Sequence, residues 1–313
     1  MDTRIWSDTP LSPPEGGKGL AQSFPDELFP PSGGQRGVLT IVKVGGAVVE
    51  DEAQLSAFLA DFIAIQGPKV LVHGGGRRAT KVAERLGIET KMVEGRRITD
   101  AQMLEVVTMV YGGLVNKHIV ASLQAHGVDA IGLTGADADI IRSVKRPPVT
   151  LTPTSPTTPT TPTTPTSPTT IDFGFVGDVQ LAKGSKIAHF IEDGLVPVIA
   201  PLTHDGQGSM LNTNADTMAQ ETAKAMAAEG YDVTLVYAFE KPGVLARPDD
   251  DSSVISTITA QDFQRLKADG TISGGMLPKI ENALAAIEAG VSRVVITSAQ
   301  AVGKEGGTVI KKL

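Results

Sequence analysis

The sequence predicts an α/β fold in which helices cover both faces of a mostly parallel central sheet. Two observations carry this prediction. Short apolar runs rich in Val and Ile, typical of strands buried on both faces, alternate with amphipathic stretches of helical period. Several of those stretches are followed by a glycine, the residue preferred just beyond a last helical turn. Together these features indicate a doubly wound, three-layer sandwich.

The predicted strands of the central sheet are six short apolar runs. They cover residues 38–44, 70–72, 130–133, 196–200, 233–237 and 294–297. Three further segments alternate apolar and polar residues in the manner of hairpin strands, at 90–98, 139–146 and 171–180. We expect these three segments to form lids beside the carboxyl edge of the sheet.

The predicted helices lie between these runs and are longer than the strands. They cover 50–65, 77–86, 100–126, 184–193, 214–229, 259–268 and 278–289. The glycines predicted to terminate six of them are Gly87, Gly127, Gly194, Gly230, Gly270 and Gly290. The alternation of strands and helices makes parallel strand pairing the expected arrangement.

Proline placement separates this folded core from two segments of unusual composition. Of 20 prolines, six lie in residues 1–36 and eight in 147–170. The first segment is predicted to be a flexible arm. The second repeats Pro at every third residue, which matches polyproline II, and we interpret it as an insert at a hairpin tip. A partner-docking or glycosylated stalk is the alternative. The domain is then predicted to span 37–313.

Composition narrows the class of function. With 41% hydrophobic and 20% charged residues the chain has a globular balance, and a formal net charge of −7 disfavours nucleic-acid binding. The absence of cysteine excludes a thiolate nucleophile and suits a reducing compartment, so a cytoplasmic location is predicted. No signal or transit pattern and no run of about 18 apolar residues is recognised, so no membrane partner is expected.

Glycine clusters follow the first two predicted strands. Gly45 and Gly46 follow one, and Gly74, Gly75 and Gly76 follow the other. Consecutive glycines let backbone N–H groups approach a ligand closely, and a following helix presents its positive end, so each cluster suits an anion. Neither cluster matches GxxxxGK(S/T) or GxGxxG, and tight-turn structure is the alternative for each.

Polar residues next to other predicted elements support an anion site. Lys43 lies near the end of an apolar strand, where its ammonium must either reach solvent or meet an anion. Asn212, Asn214 and Asp216 lie at the start of the helix predicted over 214–229, and helix capping accounts for only one of them. Lys279 lies in the first turn of another helix, where a cation opposes the helix dipole unless an anion binds there.

Six motifs give the chain a family resemblance. VKVGG, VHGGG, GRRIT, LNTNAD, FGFVGDV and GGMLPKIENAL lie within residues 38–312. In this combination the chain resembles the acetylglutamate kinases of the amino acid kinase family. The resemblance implies an amino acid kinase-like sandwich, with an N-lobe of about 37–200 for the acylglutamate and a C-lobe of about 201–313 for ATP. It also implies a homodimer.

The same resemblance implies a reaction. The enzyme would be a transferase that uses MgATP to phosphorylate the side-chain carboxylate of N-acetyl-L-glutamate, giving an acyl phosphate in arginine biosynthesis. N-succinyl-L-glutamate is the alternative substrate, and another acceptor of the same fold family is a further one. A non-catalytic ligand-sensing or scaffold protein is the alternative from a different class.

The resemblance implies roles by motif position. Lys43 and Lys279 would neutralise the transferring phosphoryl group, and Asp216 would hold both lysines. The residues implied to bind the substrate are Gly75, Gly76, Arg97 and Asn212, and those implied to bind phosphate or ATP are Gly45, Gly46, Gly74 and Gly275. No protein metal ligand is expected, because ATP phosphates would hold the Mg²⁺.

The chemistry explains two features of this residue set. A glutamate side chain with a pKa near 4.3 is already ionised at neutral pH, so no general base is needed and His73 is interpreted as a packing residue. The planar fork of Arg97 can grip a carboxylate through two hydrogen bonds. Its neighbour Arg96 would face the other way if both lie on a strand, so only one of them should reach the ligand.

Overall fold

The computed structural model of the protein describes residues 36–93, 95–151, 169–274 and 276–312. The predicted arm, except Arg36, lies outside the described residues, as do Gly275 and most of the Pro-rich insert. The backbone N–H of Arg36 donates to the carbonyl oxygen of Gly230 at 3.0 Å. Arg36, the last residue of the predicted arm, is therefore hydrogen-bonded to the folded core.

Sixteen strands lie within these ranges. They are β1 (Val38–Val44), β2 (Lys69–His73), β3 (Met92–Val93), β4 (Arg96–Arg97), β5 (Ala130–Leu133), β6 (Ile141–Lys145), β7 (Val149–Leu151), β8 (Thr169–Ile171), β9 (Gly177–Ala182), β10 (Val196–Ile199), β11 (Leu202–His204), β12 (Met210–Asn212), β13 (Asp232–Phe239), β14 (Thr257–Ile258), β15 (Arg293–Ser298) and β16 (Thr308–Lys311). Each of the six predicted sheet strands is present, with bounds that differ from the prediction by no more than two residues.

The central sheet has eight strands in the order β14-β16-β15-β13-β1-β2-β10-β5. Every neighbouring pair is parallel except β15 and β16, which are antiparallel. The prediction of a mostly parallel sheet is confirmed. Because β1 lies between β13 and β2, the loops that follow these three strands meet at one edge of the sheet.

The α-helices within the described ranges fall close to the predicted ones. They are α1 (Gly46–Glu50), α2 (Glu52–Ala64), α3 (Gly76–Arg85), α4 (Ala101–Val107), α5 (Asn116–Ala125), α6 (Gly184–Glu192), α7 (Ala215–Ala228), α8 (Ala260–Ala268) and α9 (Met276–Glu288). All six glycines predicted to end helices have positive φ, between 72° and 102°. They adopt the left-handed conformation that a glycine C-cap provides.

Helices cover both faces of the sheet. Leu39 and Ile41 of β1 belong to one buried cluster, with residues of α6, α7, α8 and α9. Val42 and Val44 belong to a second cluster, with residues of α2, α3, α4 and α5. Because alternate residues of a strand face opposite sides, β1 contributes to both cores, and the predicted three-layer sandwich is confirmed.

A π-helical segment, Thr108–Val115, joins α4 to α5 and makes one helix from Ala101 to Ala125. By length and composition this helix could span a membrane, but 44% of its most apolar window is buried in the protein. Met103, Val110 and Ile119 lie in the second core. Its packing is that of a core helix.

Smaller sheets lie beside the central one. β12, β11, β6 and β9 form a four-stranded sheet, and β3 pairs with β4 in a hairpin, as the alternating segments predicted. β7 pairs antiparallel with β8, matching Leu151 to Thr169. The ends of the predicted insert therefore form a hairpin stem, which agrees with its placement at a hairpin.

Candidate active site

The two glycine clusters touch each other at the carboxyl edge of the sheet. Gly74 follows β2 and donates its N–H to the carbonyl oxygen of Val44 at 3.0 Å. A Cβ atom on Gly74 would lie 3.1 Å from the backbone nitrogen of Gly46, and one on Gly46 would lie 3.6 Å from that of Gly75. Glycine at these positions lets two loops pack backbone to backbone, leaving N–H groups close to one cleft.

Lys43 and Asp216 form an ion pair at this edge. Lys43 is only 8% exposed, and its Nζ lies 2.8 Å from Oδ1 of Asp216 in the first turn of α7. Asn214 is the N-cap of α7, where its side chain accepts hydrogen bonds from the N–H groups of Asp216 and Thr217. Because Asn214 does the capping, the carboxylate of Asp216 is left to pair with Lys43.

Lys279, in the first turn of α9, completes a group of two cations and one carboxylate. Its Nζ lies 3.8 Å from the centroid of the Phe239 ring. Burial lowers the pKa of Lys279, and the charge of Lys43 lowers it further, while Asp216 and Glu240 act in the opposite direction. The three predicted catalytic residues therefore share one electrostatic environment.

Two adjoining cavities open on either side of Lys279. The β13-side cavity is lined by residues that include Gly45, Gly46, Phe239 and Met276. The β2-side cavity is lined by residues that include Gly74, Gly75, Arg97, Asn212 and Asp216. Lys279 and Gly76 line both cavities. A group transferred from one cavity to the other would pass this junction.

Arg97 is buried in the β4 strand, and its guanidinium faces the β2-side cavity. Its NH2 group donates to the carbonyl oxygen of Gly76 and to Oγ1 of Thr80, each at 2.8 Å. The neighbouring Arg96 is exposed, so the two arginines differ in burial as strand alternation predicts. Both line the β2-side cavity, and the prediction that only one of them reaches the ligand stays a prediction.

Asn212 lies at the end of β12, and its Nδ2 donates to Oγ1 of Thr99 at 2.9 Å. Tyr111, from the π-helical segment, packs so closely that a Cβ on Gly75 would lie 2.8 Å from its ring. This close packing leaves no space for a side chain at position 75, so glycine is required there. Burial raises the pKa of the Tyr111 hydroxyl, while Arg97 acts to lower it.

Arg146 and Phe239 are among the cavity residues that were not predicted from the sequence. Arg146 lines the β2-side cavity and forms a bidentate ion pair with Asp178, to which its Nε donates at 2.9 Å. Phe239 lines the β13-side cavity at the end of β13. Arg146 directly follows β6, and Phe239 is the last residue of β13. The rule that ligands bind beyond strand ends would therefore have identified both.

His73 is wholly buried behind the glycine cluster. Its Nδ1 lies 2.8 Å from the Gly74 carbonyl oxygen, and its Nε2 lies 3.2 Å from Nδ2 of Asn116, which also donates to Val198. These partners assign the proton to Nδ1, with Nε2 accepting. Burial lowers the pKa of His73 to about 4, so the ring is neutral at pH 7. It supports the loop and lines neither cavity.

The described site residues do not form a cluster of metal ligands. Over residues 36–93, 95–151, 169–274 and 276–312, no cluster of three or more His, Asp or Glu side chains is arranged to hold a metal ion. Of the predicted site residues, Gly275 is outside the described part of the chain. The others line one of the two cavities or, in the case of Lys43, lie at their junction.

Comparisons with known proteins identify the family of the chain. The sequence model of the amino acid kinase family matches residues 38–298. The acetylglutamate kinase of Phocaeicola vulgatus is 60% identical over 274 residues, covering 88% of this chain and 98% of that protein. The acetylglutamate kinase of Bacteroides fragilis strain NCTC 9343 is 59% identical, covering 88% and 97%. The crystal structure of smu.665 from Streptococcus mutans UA159 matches with a TM-score of 0.61 at 27% identity, covering 87% and 98%.

Proposed function

Because the chain belongs to the amino acid kinase family, we propose that it transfers the γ-phosphoryl group of MgATP to the side-chain carboxylate of N-acetyl-L-glutamate. The products are ADP and an acyl phosphate. The observation that carries this proposal is the position of Lys43, Asp216 and Lys279 where the two cavities meet. A site that only bound a ligand would have no need of two cations at such a junction.

The proposed reaction needs electrostatic stabilisation more than proton transfer. The acceptor carboxylate and the triphosphate are both anionic at neutral pH, so repulsion opposes their approach. Lys43 and Lys279 offset it around the transferring group, and the backbone N–H groups of the two glycine clusters add fixed donors. Asp216 pairs with Lys43 and so limits the repulsion between the lysines.

We assign the β13-side cavity to ATP and the β2-side cavity to the acylglutamate. Gly45 and Gly46 then face the ATP phosphates, with Gly275 as a further proposed contact. Gly75, Gly76, Arg97 and Asn212 face the acylglutamate, with Arg97 offering hydrogen-bond donors to its α-carboxylate. Gly74 lines the β2-side cavity and not the ATP cavity. We therefore propose that it contacts the γ-phosphoryl group while that group is being transferred.

Mg²⁺ is proposed to arrive with ATP. Mg²⁺ usually keeps several waters and binds through substrate phosphates, and a site with few protein carboxylates suits such binding. The ion supplies further neutralisation of the triphosphate when bound. Asp216 is already paired with Lys43, which favours a role in holding that lysine over a role as a Mg²⁺ ligand.

The biological setting is proposed from coarser observations. An acylglutamyl phosphate intermediate places the reaction in arginine biosynthesis, and a chain without cysteine suits the cytoplasm. We also propose a homodimer, because Met109 and Leu114 expose apolar side chains on the otherwise core-packed helix from Ala101 to Ala125. Apolar surface on a core helix is typical of a face covered by a second subunit.

The reaction is tested by ADP release from MgATP with hydroxylamine present to trap acyl phosphate as a hydroxamate. The acceptors compared are N-acetyl-L-glutamate, N-succinyl-L-glutamate and free L-glutamate. We expect hydroxamate with N-acetyl-L-glutamate and none with free L-glutamate. Preference for N-succinyl-L-glutamate would replace the acyl group in the proposal, and turnover of free glutamate alone would refute it.

The site assignment is tested by Lys279→Ala, with Lys267→Ala as the matched control. Lys267 pairs with Glu281 on the surface and lines neither cavity. We expect Lys279→Ala to lower kcat by about 10²-fold or more, since it removes a charge opposite the transition state. The control should change kcat by less than about twofold. Equal kcat in both variants, with correct folding by circular dichroism, would contradict the assignment.

A further inference from the structure

The side chain of Phe239 contacts both lysines at the cavity junction. Its ring centroid lies 3.8 Å from Nζ of Lys279 and 5.1 Å from Nζ of Lys43. Both distances are within the roughly 6 Å over which the face of an aromatic ring attracts a cation. One ring is therefore placed to attract two ammonium groups.

Formal charge does not explain how Lys279 is held. The Asp216 carboxylate lies 2.8 Å from Lys43, whereas among the described residues no carboxylate oxygen lies within 4.0 Å of the Lys279 ammonium. Asp216 and Glu240 act on Lys279 only at longer range, and Lys43 repels it. The ring of Phe239 is the group in direct contact with this cation.

The ring itself is fixed by the sheet. Tyr237 of β13 is the lateral partner of Lys43 on β1, and Phe239 lies two residues further along the same face. The two rings stack with centroids 6.0 Å apart and planes at 12°. The Tyr237 hydroxyl donates to the backbone carbonyl oxygen of Asp216 at 3.4 Å. The strand that carries the ring is thereby tied to the helix that carries the carboxylate.

We propose that Phe239 is a positioning residue for phosphoryl transfer, whose ring holds the Lys279 ammonium beside Lys43 at the junction of the two cavities. This inference rests on the proposed function, which assigns both lysines to the transferring group. An aromatic ring suits this position because it attracts a cation without carrying a formal negative charge. A carboxylate in the same place would repel the triphosphate.

The first test compares Phe239→Leu with Phe239→Tyr. Leucine keeps an apolar side chain and removes the ring, while tyrosine keeps the ring and its negative face. We expect Phe239→Leu to lower kcat about tenfold with KM for ATP changed less than about threefold. Phe239→Tyr should stay within about threefold of the parent in both constants.

Phe263→Leu is the matched control. Phe263 lies on α8, and its ring centroid is 5.7 Å from Nζ of Lys267, so the substitution removes the ring of a cation–π contact outside both cavities. We expect kcat to change by less than about twofold. If Phe263→Leu lowered kcat as much as Phe239→Leu, both effects would be explained by altered folding, and the proposal would be overturned.

The second test does not depend on turnover. Acetylation of lysines by trace acetic anhydride, measured against pH by mass spectrometry, gives the titration of Lys279 in the free enzyme. The charged groups that act on Lys279, namely Asp216 from α7, Lys43 from β1 and Glu240 after β13, are the same in parent and variant. Loss of the ring should therefore lower the apparent pKa of Lys279 by about 0.5 to 1 in Phe239→Leu. Phe239→Tyr should leave it unchanged.

The two tests separate the possible failures. A higher KM for ATP with unchanged kcat and unchanged Lys279 titration would assign the ring to nucleotide contact and overturn the proposal. If the parent phosphorylates no N-acylated glutamate, the proposed function fails. The lysine titration still decides whether Phe239 holds Lys279, because it needs neither substrate.

Discussion

Asn214 and Asp216 show how neighbouring residues of similar chemistry take different roles. Either could cap α7 by its residue type, but the Asn214 side chain accepts both first-turn N–H groups. Asp216 then lies one residue inside the helix and pairs with Lys43. Its negative charge is favoured there by the helix dipole whether or not Lys43 is present. Two positions along the chain thus separate the capping residue from the residue proposed to hold Lys43.

Arg97 and Arg96 offer a residue-scale test of substrate recognition. Arg97 is held by the Gly76 carbonyl and Thr80, so its fork is pre-oriented, whereas Arg96 is exposed. We expect Arg97→Lys to raise KM for the acylglutamate about 10- to 100-fold, because lysine cannot bind a carboxylate through two parallel hydrogen bonds. Steady-state kinetics should show KM for ATP changed by less than about threefold. Arg265→Lys, on α8 and outside both cavities, is the control, and an equal rise in that variant would contradict the role of Arg97.

His73 makes the stability of the protein depend on pH. Burial holds its pKa at about 4, below the ordinary value of 6.5. As pH falls below 6.5 the unfolded chain binds a proton that the folded protein cannot, so stability is lost between about pH 6.5 and 4. We expect His73→Asn to remove up to about 3 kcal/mol of this loss. Urea unfolding at several pH values measures the difference between parent and variant.

His118→Asn is the control for this measurement. His118 is exposed on α5, so its replacement should leave the pH dependence of the unfolding free energy unchanged. A His73→Asn variant that loses stability between pH 6.5 and 4 as steeply as the parent would show that His73 is not the buried neutral group. The overall stability of His73→Asn will be lower at pH 7, because the replacement leaves space around the glycine cluster.

At the scale of elements, periodicity and glycine predicted most of the sandwich. α7 and β1 agree with prediction because amphipathic patterns and apolar runs of these lengths are compatible with few other secondary structures. The π-helical segment Thr108–Val115 was missed, since its extra backbone residue leaves no mark on a single sequence. β14 and β16 were missed because they have only two and four residues, and their place at one end of the sheet is set by their neighbours.

Asp139 ties three elements together outside the active site. Its carboxylate accepts from Arg142 on β6 and from Lys183 before α6, both at 2.7 Å, and lies 2.8 Å from Nε2 of His204 on β11. Partial burial raises the pKa of Asp139, but hydrogen bonds from Lys183 and Arg142 outweigh it and hold the pKa at about 2. The ionised carboxylate therefore stabilises the fold above about pH 4, and this contribution is lost as pH falls toward 2.

Asp139→Asn tests this arrangement, because asparagine tolerates the positive φ of 55° at this position while losing the charge. We expect the free energy of unfolding at pH 7 to fall by about 1 to 3 kcal/mol. The difference from the parent should shrink below about pH 4. Asp251→Asn, which removes an exposed carboxylate paired with Lys241, should cost less in the same urea titration. A greater cost for Asp251→Asn would contradict a structural role for Asp139.

At the scale of the whole molecule, the site joins residues that are far apart in the sequence. Lys43 and Asp216 are identifiable from sequence because charged residues at the ends of apolar runs are unusual. Their contact is not, because the sheet order that places β13 beside β1 brings together strands almost two hundred residues apart. The Gly46–Gly74 packing and the place of Phe239 over two lysines follow from the same sheet order.

The Pro-rich insert is the last feature of the whole chain that can be tested. β7 and β8 pair up to Leu151 and Thr169, and Oγ1 of Thr150 lies 3.1 Å from Oγ1 of Thr170. An Asn-Gly turn in place of residues 152–168 suits this antiparallel stem, since it matches the twist of a two-residue hairpin. We expect kcat and both KM values within about twofold of the parent, and stability equal or higher by up to about 2 kcal/mol, because a shorter loop costs less entropy to close.

A Gly-Ser segment of the same length as residues 152–168 separates sequence from length in this experiment. If the insert only spans the hairpin tip, both replacements keep activity, and only the short turn gains stability. Loss of turnover in both would mean that the Pro-Thr sequence itself supports the site or the assembly of subunits. Because Arg146, between β6 and β7, lines the β2-side cavity and no residue of the stem lines the β13-side one, such a loss should appear first in KM for the acylglutamate.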